Sequence, residues 1–278
     1  MIKAEYIDHM GTDLTVANAA WVSTAKRGHW ALDVDEAKWL RRWFGEDFLG
    51  SPLYFEFVAK TRGRILPDRA FGLINYLARN FHFTPFTHCH VTLHCEAPIF
   101  VIRQALRSKV GFNPTELDEM EPVLDDFARF WAQLEEAAEP IELNEVSRRY
   151  VADPPRFFTP PTLRRRAESV KQGSSDEPID DEEGVKRVLD QYARSAGALY
   201  EDLVASGMAP ELARAYLLQG TMTEWYWTGS LAAWARFYLL RIDAHAQREV
   251  QELARQVGAI VEPLYPVSWR ALTTGGKA

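Results

Sequence analysis

The sequence predicts an α+β protein whose helices concentrate in roughly its last hundred residues. Two stretches carry that prediction. His88 to Cys95 alternates strictly: His88, His90, Thr92 and His94 share one face, and Cys89, Val91, Leu93 and Cys95 the other. That period of two is the mark of a strand with one buried face. From about residue 181 onward, apolar residues recur instead at helical spacing, which predicts helices near 181–205, 210–218, 221–241 and 243–259.

Taken in order, residues 2–8 alternate loosely and predict a strand, closed by the turn residues His9-Met10-Gly11-Thr12-Asp13. Leu14 to Val22 reads as a short helix ending near Ser23. Asp33-Val34-Asp35-Glu36 looks like a helix start, followed by the stripe Trp39, Leu40, Trp43 and Phe44. Tyr54 to Lys60 is strand-like by composition. Pro67-Asp68 opens a helix through about Arg79, with Phe71, Ile74, Leu77 and Ala78 inward. After the alternating stretch, Pro98 starts a helix through Arg107 that places Gln104 and Arg107 on one face. Residues 112–142 are acidic, with Leu124, Phe127, Trp131 and Leu134 at helical spacing, and predict an amphipathic helix. Asp153-Pro154-Pro155 and Thr159-Pro160-Pro161 mark an irregular connection. Lys171 to Glu183 is the least ordered stretch by composition, and the tail from Thr273 is expected to fray.

Bulk properties narrow the function classes. A chain of 278 residues with 47 % hydrophobic content suits a globular protein of one large domain or two small ones. Its net charge of −7, with no segregated Lys/Arg block, argues against a nucleic-acid partner. No stretch approaches the roughly 20 apolar residues of a membrane span, and the N-terminus lacks the apolar run of a signal peptide. If extended, the segment holds Cys89 and Cys95 roughly 20 Å apart, too far for a mutual disulfide. A reducing, cytoplasmic setting is expected.

The stretch with the densest chemistry is Leu143-Asn144-Glu145-Val146-Ser147-Arg148-Arg149-Tyr150. Read as extended chain, it turns Glu145, Ser147 and Arg149 to one side, where they offer acceptors and an arginine fork to a phosphate or a planar polar group. A solvated edge strand with an internal Glu–Arg pair is the plainer alternative. Other chemistries are poorly supported. His88, His90 and His94 fit no familiar zinc spacing. Ser147 has no glycine on either side, so no nucleophile elbow forms. Cys89 and Cys95 sit on an apolar strand face, where a buried thiol is inert. Neither G-x-G-x-x-G nor a P-loop occurs, so a bound nucleotide would depend on arginines; Arg107, Arg149, Arg214 and Arg241 stand out.

Several blocks then resemble one family, in its order, over about residues 4–250. Asn144-Glu145-Val146-Ser147-Arg148-Arg149-Tyr150 is similar to half of the signature of the flavin-dependent thymidylate synthases, the ThyX family. Ile102-Arg103-Gln104-Ala105-Leu106-Arg107 resembles the helix leading into its other half. Thr84-Pro85-Phe86-Thr87-His88, Met222 to Leu231, Leu240 to Gln247 and Tyr6 to Gly11 resemble further blocks. Three departures are visible. Arg107-Ser108-Lys109 stands where the family has R-H-R, the acidic segment 112–142 intervenes before Ser147, and Thr87 replaces a glutamate.

The resemblance implies a single catalytic domain over 1–278, with a mostly antiparallel sheet flanked by helices and 112–142 as an insertion. It implies reductive methylation of dUMP to dTMP with FAD, NADPH and methylenetetrahydrofolate, by a cytoplasmic homotetramer whose sites are shared between subunits. Carried over residue by residue, Gln104, Arg107, Glu145, Ser147, Arg148, Arg149, Arg214 and Arg241 would line dUMP. Arg241 and Ser147 would be the catalytic residues, Arg241 facing negative charge that develops on the uracil. Ser23, Thr84, Arg107, Ser108, Lys109, Asn144, Glu145, Ser230 and Arg236 would surround FAD, and His82 and Tyr150 would stack on flavin or folate rings. No metal is implied. The altered triplet leaves two alternatives: a related flavin- and folate-dependent enzyme doing other pyrimidine chemistry, such as hydroxymethylation, or a non-catalytic nucleotide-binding relic.

Overall fold

A computed structural model describes residues 1–30, 65–107, 142–150, 153–167 and 173–275. The helix expected from Asp33, the strand expected over Tyr54–Lys60, the acidic segment apart from its last residue, and Ser108 and Lys109 lie outside the described residues. Elements of the described residues are numbered in chain order.

Four strands form one antiparallel sheet in the order β1-β2-β6-β3. They are β1 (Lys3–Met10), β2 (His90–Pro98), β3 (Glu142–Glu145) and β6 (Met222–Ser230). The alternation read in β2 is the alternation observed. Val91, Leu93 and Cys95 are fully buried, while His90, Thr92 and His94 stay half-buried on the other face. The expected strand starts two residues early, because Thr84–His88 coils into a 3-10 turn.

The main correction is β6. Residues 221–241 read as one helix, but Met222–Ser230 is a strand and only Leu231–Ile242 (α6) is helical. Trp225 and Trp227 point into the core and Glu224 and Tyr226 outward, so the run Thr-Glu-Trp-Tyr-Trp-Thr obeys a period of two. β6 pairs on both edges, with β2 and with β3, which satisfies its backbone where a helix would leave β2 and β3 without their partner.

Helices cover the buried face of the sheet. Trp227, 1 % exposed, meets Trp234 and Phe237 of α6 edge-to-face, each with ring centroids 4.8 Å apart. The Trp234 indole N–H donates to the Val91 carbonyl at 3.1 Å, which fixes α6 across β2. α7 (Arg248–Val261) and α8 (Pro266–Thr273) pack behind α6, and α8 lies against α2 (Asp68–Arg79). α2 has the bounds and the inward residues the sequence predicts. α1 (Asp13–Trp21) is tied to α8 by the buried Asp13 carboxylate, which accepts from the backbone N–H groups of Val267 and Ser268 at 3.1 and 2.8 Å. The sequence reading did not anticipate α8.

α3 (Ile99–Leu106) follows β2 directly. A two-stranded hairpin, β4 (Arg164–Arg166) and β5 (Ser174–Pro178), occupies part of the stretch expected to be least ordered. α4 (Glu182–Ala205) and α5 (Pro210–Ala213) complete the chain order, and α4 leaves Val185, Val188, Leu189, Tyr192 and Leu199 exposed. Among the described residues, no helix is long and apolar enough to cross a membrane.

Candidate functional site

Two clefts hold six of the expected site residues. The first, of about 920 Å3, lies where α3, α6, the start of α7 and the β4–β5 hairpin meet; Gln104, Arg107 and Arg241 line it. Gln104 and Arg107 come together because they are one helical turn apart at the end of α3. Arg241 reaches them from the last turn of α6, and its Nη2 donates to the Gln104 carbonyl at 2.7 Å. Burial and the nearby Arg236 and Arg107 guanidiniums pull the Arg241 pKa down from its ordinary value. An arginine remains a cation even so, and a crowded cation gains from an anion placed beside it.

Sequence reasoning missed the rest of this cleft. Arg164, Ser174, Gln247, Arg248, Gln251 and Arg255 also line it. Gln247, Gln251 and Arg255 recur every four residues, so a helical-face reading of the α7 region had the pattern to find them. Arg164 gave no such pattern. It reaches the cleft through the hairpin, where its Nε donates to the Ser174 hydroxyl at 2.7 Å.

The second cleft, of about 680 Å3, gathers Ser23, His82 and Thr84 with Phe81, Pro85 and His88. Its floor is the junction between α2 and the 3-10 turn. Phe81 sits there at φ 62°, a left-handed conformation that most side chains avoid. The chain accepts it because the end of α2 closes in the double hydrogen-bond pattern that such a residue completes: Phe81 N–H to the Ala78 carbonyl and His82 N–H to the Leu77 carbonyl, at 3.2 and 2.8 Å. That reversal sends His82 outward, its ring 6.4 Å from Tyr76. Thr87, the residue that departs from the family pattern, donates to the Thr84 carbonyl at 2.8 Å and closes its own turn.

The two clefts are linked by α6. Its first N–H, from Leu231, donates to the Cys89 carbonyl beside His88, and Arg241 stands at the far end, roughly 15 Å along at 1.5 Å per residue. Ser230 caps α6, its hydroxyl accepting from the Ala233 N–H at 3.2 Å, and Arg236 is buried midway along the helix.

The remaining expected residues lie elsewhere, and their local structure corrects the extended reading of 143–150. β3 stops at Glu145. Beyond it the chain turns, closed by the Tyr150 N–H donating to the Ser147 carbonyl at 3.0 Å, so Glu145, Ser147 and Arg149 do not form one row. Glu145 accepts from the Thr223 hydroxyl at 2.7 Å. Arg149 instead donates to the Ser147 hydroxyl at 3.3 Å and lies over the Tyr150 ring at 5.2 Å; that ring is 80 % exposed. Arg148 donates to the Asp153 carbonyl. Asn144 is exposed opposite Tyr226. Arg214 is exposed on a 3-10 turn after α5. Glu145 is anchored beside Thr223, close to the start of α3, where Ile99 N–H donates to the Thr221 carbonyl. Gln104 and Arg107 are at the other end of α3. In this chain Gln104, Arg107 and Arg241 therefore stand at one end of α3, Glu145 and the turn that follows it start near the other, and Arg214 lies on a turn of its own.

Among the described residues, no three His, Cys, Asp or Glu side chains are grouped to hold a metal ion.

The model of the Thy1 family, described as thymidylate synthase complementing protein, matches residues 5–267. The chain is 30 % identical over 217 residues to the flavin-dependent thymidylate synthase of Thermosipho africanus, covering 77 % of this chain and 81 % of that one. It is 30 % identical over 229 residues to the same-named protein of Kosmotoga olearia, covering 82 % and 85 %. Among solved structures, the UMP/dUMP methylase PolB from Streptomyces cacaoi bound with 5-Br dUMP superposes with a TM-score of 0.68 at 26 % identity, covering 100 % of this chain and 97 % of that one. The same enzyme bound with 5-Br UMP gives 0.66 at 25 % identity.

Proposed function

We infer, from the premise that this chain belongs to the Thy1 family of flavin-dependent thymidylate synthases, that it methylates dUMP to dTMP. The observation that carries this reading is the convergence of Gln104, Arg107 and Arg241 on one arginine-lined cleft. The cleft is large enough for a nucleotide, and its cations suit a phosphate and an electron-rich ring. Arg241, already held by the Gln104 carbonyl, presents a fixed positive charge that needs no reorganisation when the uracil gains electron density. No protein nucleophile is invoked; Ser147 instead orients the Arg149 guanidinium.

The second cleft suits a flavin. Its volume, the Ser23 and Thr84 hydroxyls and the Phe81 and His82 rings match a flat heteroaromatic group with polar edges. Ser23, Thr84 and His82 would hold FAD, with Ser108, Lys109, Asn144, Glu145, Ser230 and Arg236 as further candidates. Bound there, the flavin supplies the reducing hydride, NADPH being its reductant and methylenetetrahydrofolate the carbon donor.

A homotetramer with shared sites reconciles these separate placements of the dUMP residues: Gln104, Arg107 and Arg241 of one subunit would face Glu145, Ser147, Arg148, Arg149, Arg214 and Tyr150 of another. The exposed apolar stripe of α4, with Val188 64 % and Tyr192 60 % exposed, supports burial in an assembly. We place the protein in the cytoplasm as one catalytic domain over 1–278, on the strength of its two unpaired, buried cysteines and its family membership.

The test is a mass-spectrometric product assay with purified protein, dUMP, NADPH and methylenetetrahydrofolate. The expected product is dTMP. A second reading, methylation of UMP, draws on the likeness to a UMP/dUMP methylase solved with 5-Br UMP, and the same assay with UMP decides it. A hydroxymethylated product, or binding without turnover, would overturn the synthase reading.

A further inference from the structure

Glu249 does not line the arginine cleft, yet its carboxylate organises one wall of it. It is 7 % exposed at the second position of α7. A buried carboxylate is costly unless every oxygen is engaged. Here Arg164 Nη2 donates to Oε1 and Oε2 at 2.8 and 3.1 Å, and Gln247 Nε2 donates to Oε2 at 2.9 Å. The start of α7 also favours a negative charge at this position.

A carboxylate only accepts hydrogen bonds, so it fixes the sense of everything attached to it. Gln247 must turn its amino group to Glu249, which leaves its carbonyl oxygen free. That oxygen accepts from Nε2 of Gln104. Gln104 is thereby held by its side chain, while its backbone carbonyl receives Arg241 Nη2 at 2.7 Å. One chain of contacts thus joins β4, α7, α3 and α6, and it ends on the two residues most central to the nucleotide cleft.

We propose that Glu249 is a positioning residue: through Gln247 it sets the orientation of Gln104 for the nucleotide. The proposal rests on the dUMP reading of the cleft. It explains why a buried charge is tolerated there, since an apolar side chain could fill the space but could not orient two amides in series.

The experiment is a double-mutant cycle between Glu249→Gln and Gln104→Ala, read as the dissociation constant for dUMP on the intact protein, with steady-state KM and kcat alongside. Glu249→Gln keeps the shape but can donate, which releases the fixed sense of the chain. In the wild-type background it is expected to weaken dUMP by about tenfold, the usual scale for losing a supporting contact behind a ligand-binding group. In the Gln104→Ala background it is expected to add less than about twofold, because the residue it acts on is gone. An equal loss in both backgrounds overturns the proposal, as does no loss in the wild-type background. If Glu249→Gln does not fold, Glu249→Asp replaces it in the cycle: the charge is kept and the reach shortened, and the same coupling is required. If the wild-type protein binds inorganic phosphate but not dUMP, the functional reading fails. The cycle is then run with phosphate, where the same two outcomes decide the role of Glu249.

Discussion

Arg241 Nη2 lies 2.7 Å from the carbonyl oxygen of Gln104, a contact between the last turn of α6 and the last turn of α3. It satisfies one of the terminal carbonyls that a helix leaves unpaired, and it locks a cation where a nucleotide would sit. Removing the guanidinium should therefore harm chemistry far more than folding. Arg241→Ala is expected to lower kcat/KM by about a hundredfold or more, the scale of losing a preorganised electrostatic group. The thermal midpoint should move by only a few degrees, since the side chain is half-buried. Full retained activity in a dTMP assay would remove Arg241 from the catalytic residues.

The separate placement of the dUMP residues predicts complementation between subunits. Arg149→Ala and Arg241→Ala, each inactive alone, should regain activity when mixed, dissociated and reassembled, because some sites then draw an intact half from each parent. Mixtures that stay at the sum of the parents would mean each site is built within one chain.

Phe81 at φ 62° predicts an unusual order of stabilities. Phe81→Gly and Phe81→Ala both delete the ring, so they differ only in backbone preference. The glycine variant should be the more stable by about 1 kcal/mol, because the left-handed conformation costs alanine about that much. Urea denaturation of the two variants checks this, and a more stable alanine variant would contradict the geometry.

Burial pushes the thiols of Cys89 and Cys95 up to about 12, with the Asp13 charge adding to the effect at Cys89. At pH 8 almost no thiolate exists in the folded protein, and thiolate is the reactive form. Iodoacetamide is expected to label neither cysteine until denaturant is added, with mass spectrometry as the readout.

Asp13 gives a pH dependence with a defined sign. Burial raises its pKa from 3.8 to about 6, against the pull of its hydrogen bonds from Ser268 and Val267. Between those values the folded protein holds a proton that the unfolded chain releases. The contribution of this group is therefore fullest below about pH 4 and is lost as pH rises through about 6. The loss is at most about 3 kcal/mol, at 1.36 kcal/mol per pKa unit. Asp13→Asn, which cannot ionise, should flatten that segment of the stability–pH curve. An unchanged slope in chemical denaturation from pH 4 to 6.5 would show that Asp13 does not titrate there.

Local pattern was enough where one element's periodicity had no competitor. α2 was legible from Pro67 to Arg79 because its apolar spacing is clean and a proline marks its start. β2 was legible because the alternation from His88 to Cys95 places two cysteines and two aliphatic residues on one face. The amino-acid blocks also carried the family resemblance, and with it the fold class and the flavin. β6 was not legible: its tryptophans run directly into the apolar helix α6, and hydrophobicity alone does not say where a period of two becomes 3.6. Pairing with β2 on one side and β3 on the other decides it, and those partners lie far off in the chain.

The sequence by itself determined which side chains could do the chemistry, because arginine, glutamine and serine carry their charge and hydrogen-bonding capacity wherever they sit. Only the tertiary structure decided which of them meet. It brought Gln104, Arg107 and Arg241 together across two helices and added Arg164 through a hairpin. It left Ser147 and Arg149 on a turn of their own, because Tyr150 closes back onto the Ser147 carbonyl where an extended reading continued the strand. Proximity between residues more than a hundred positions apart is set by which surfaces bury each other, and no local spacing encodes it.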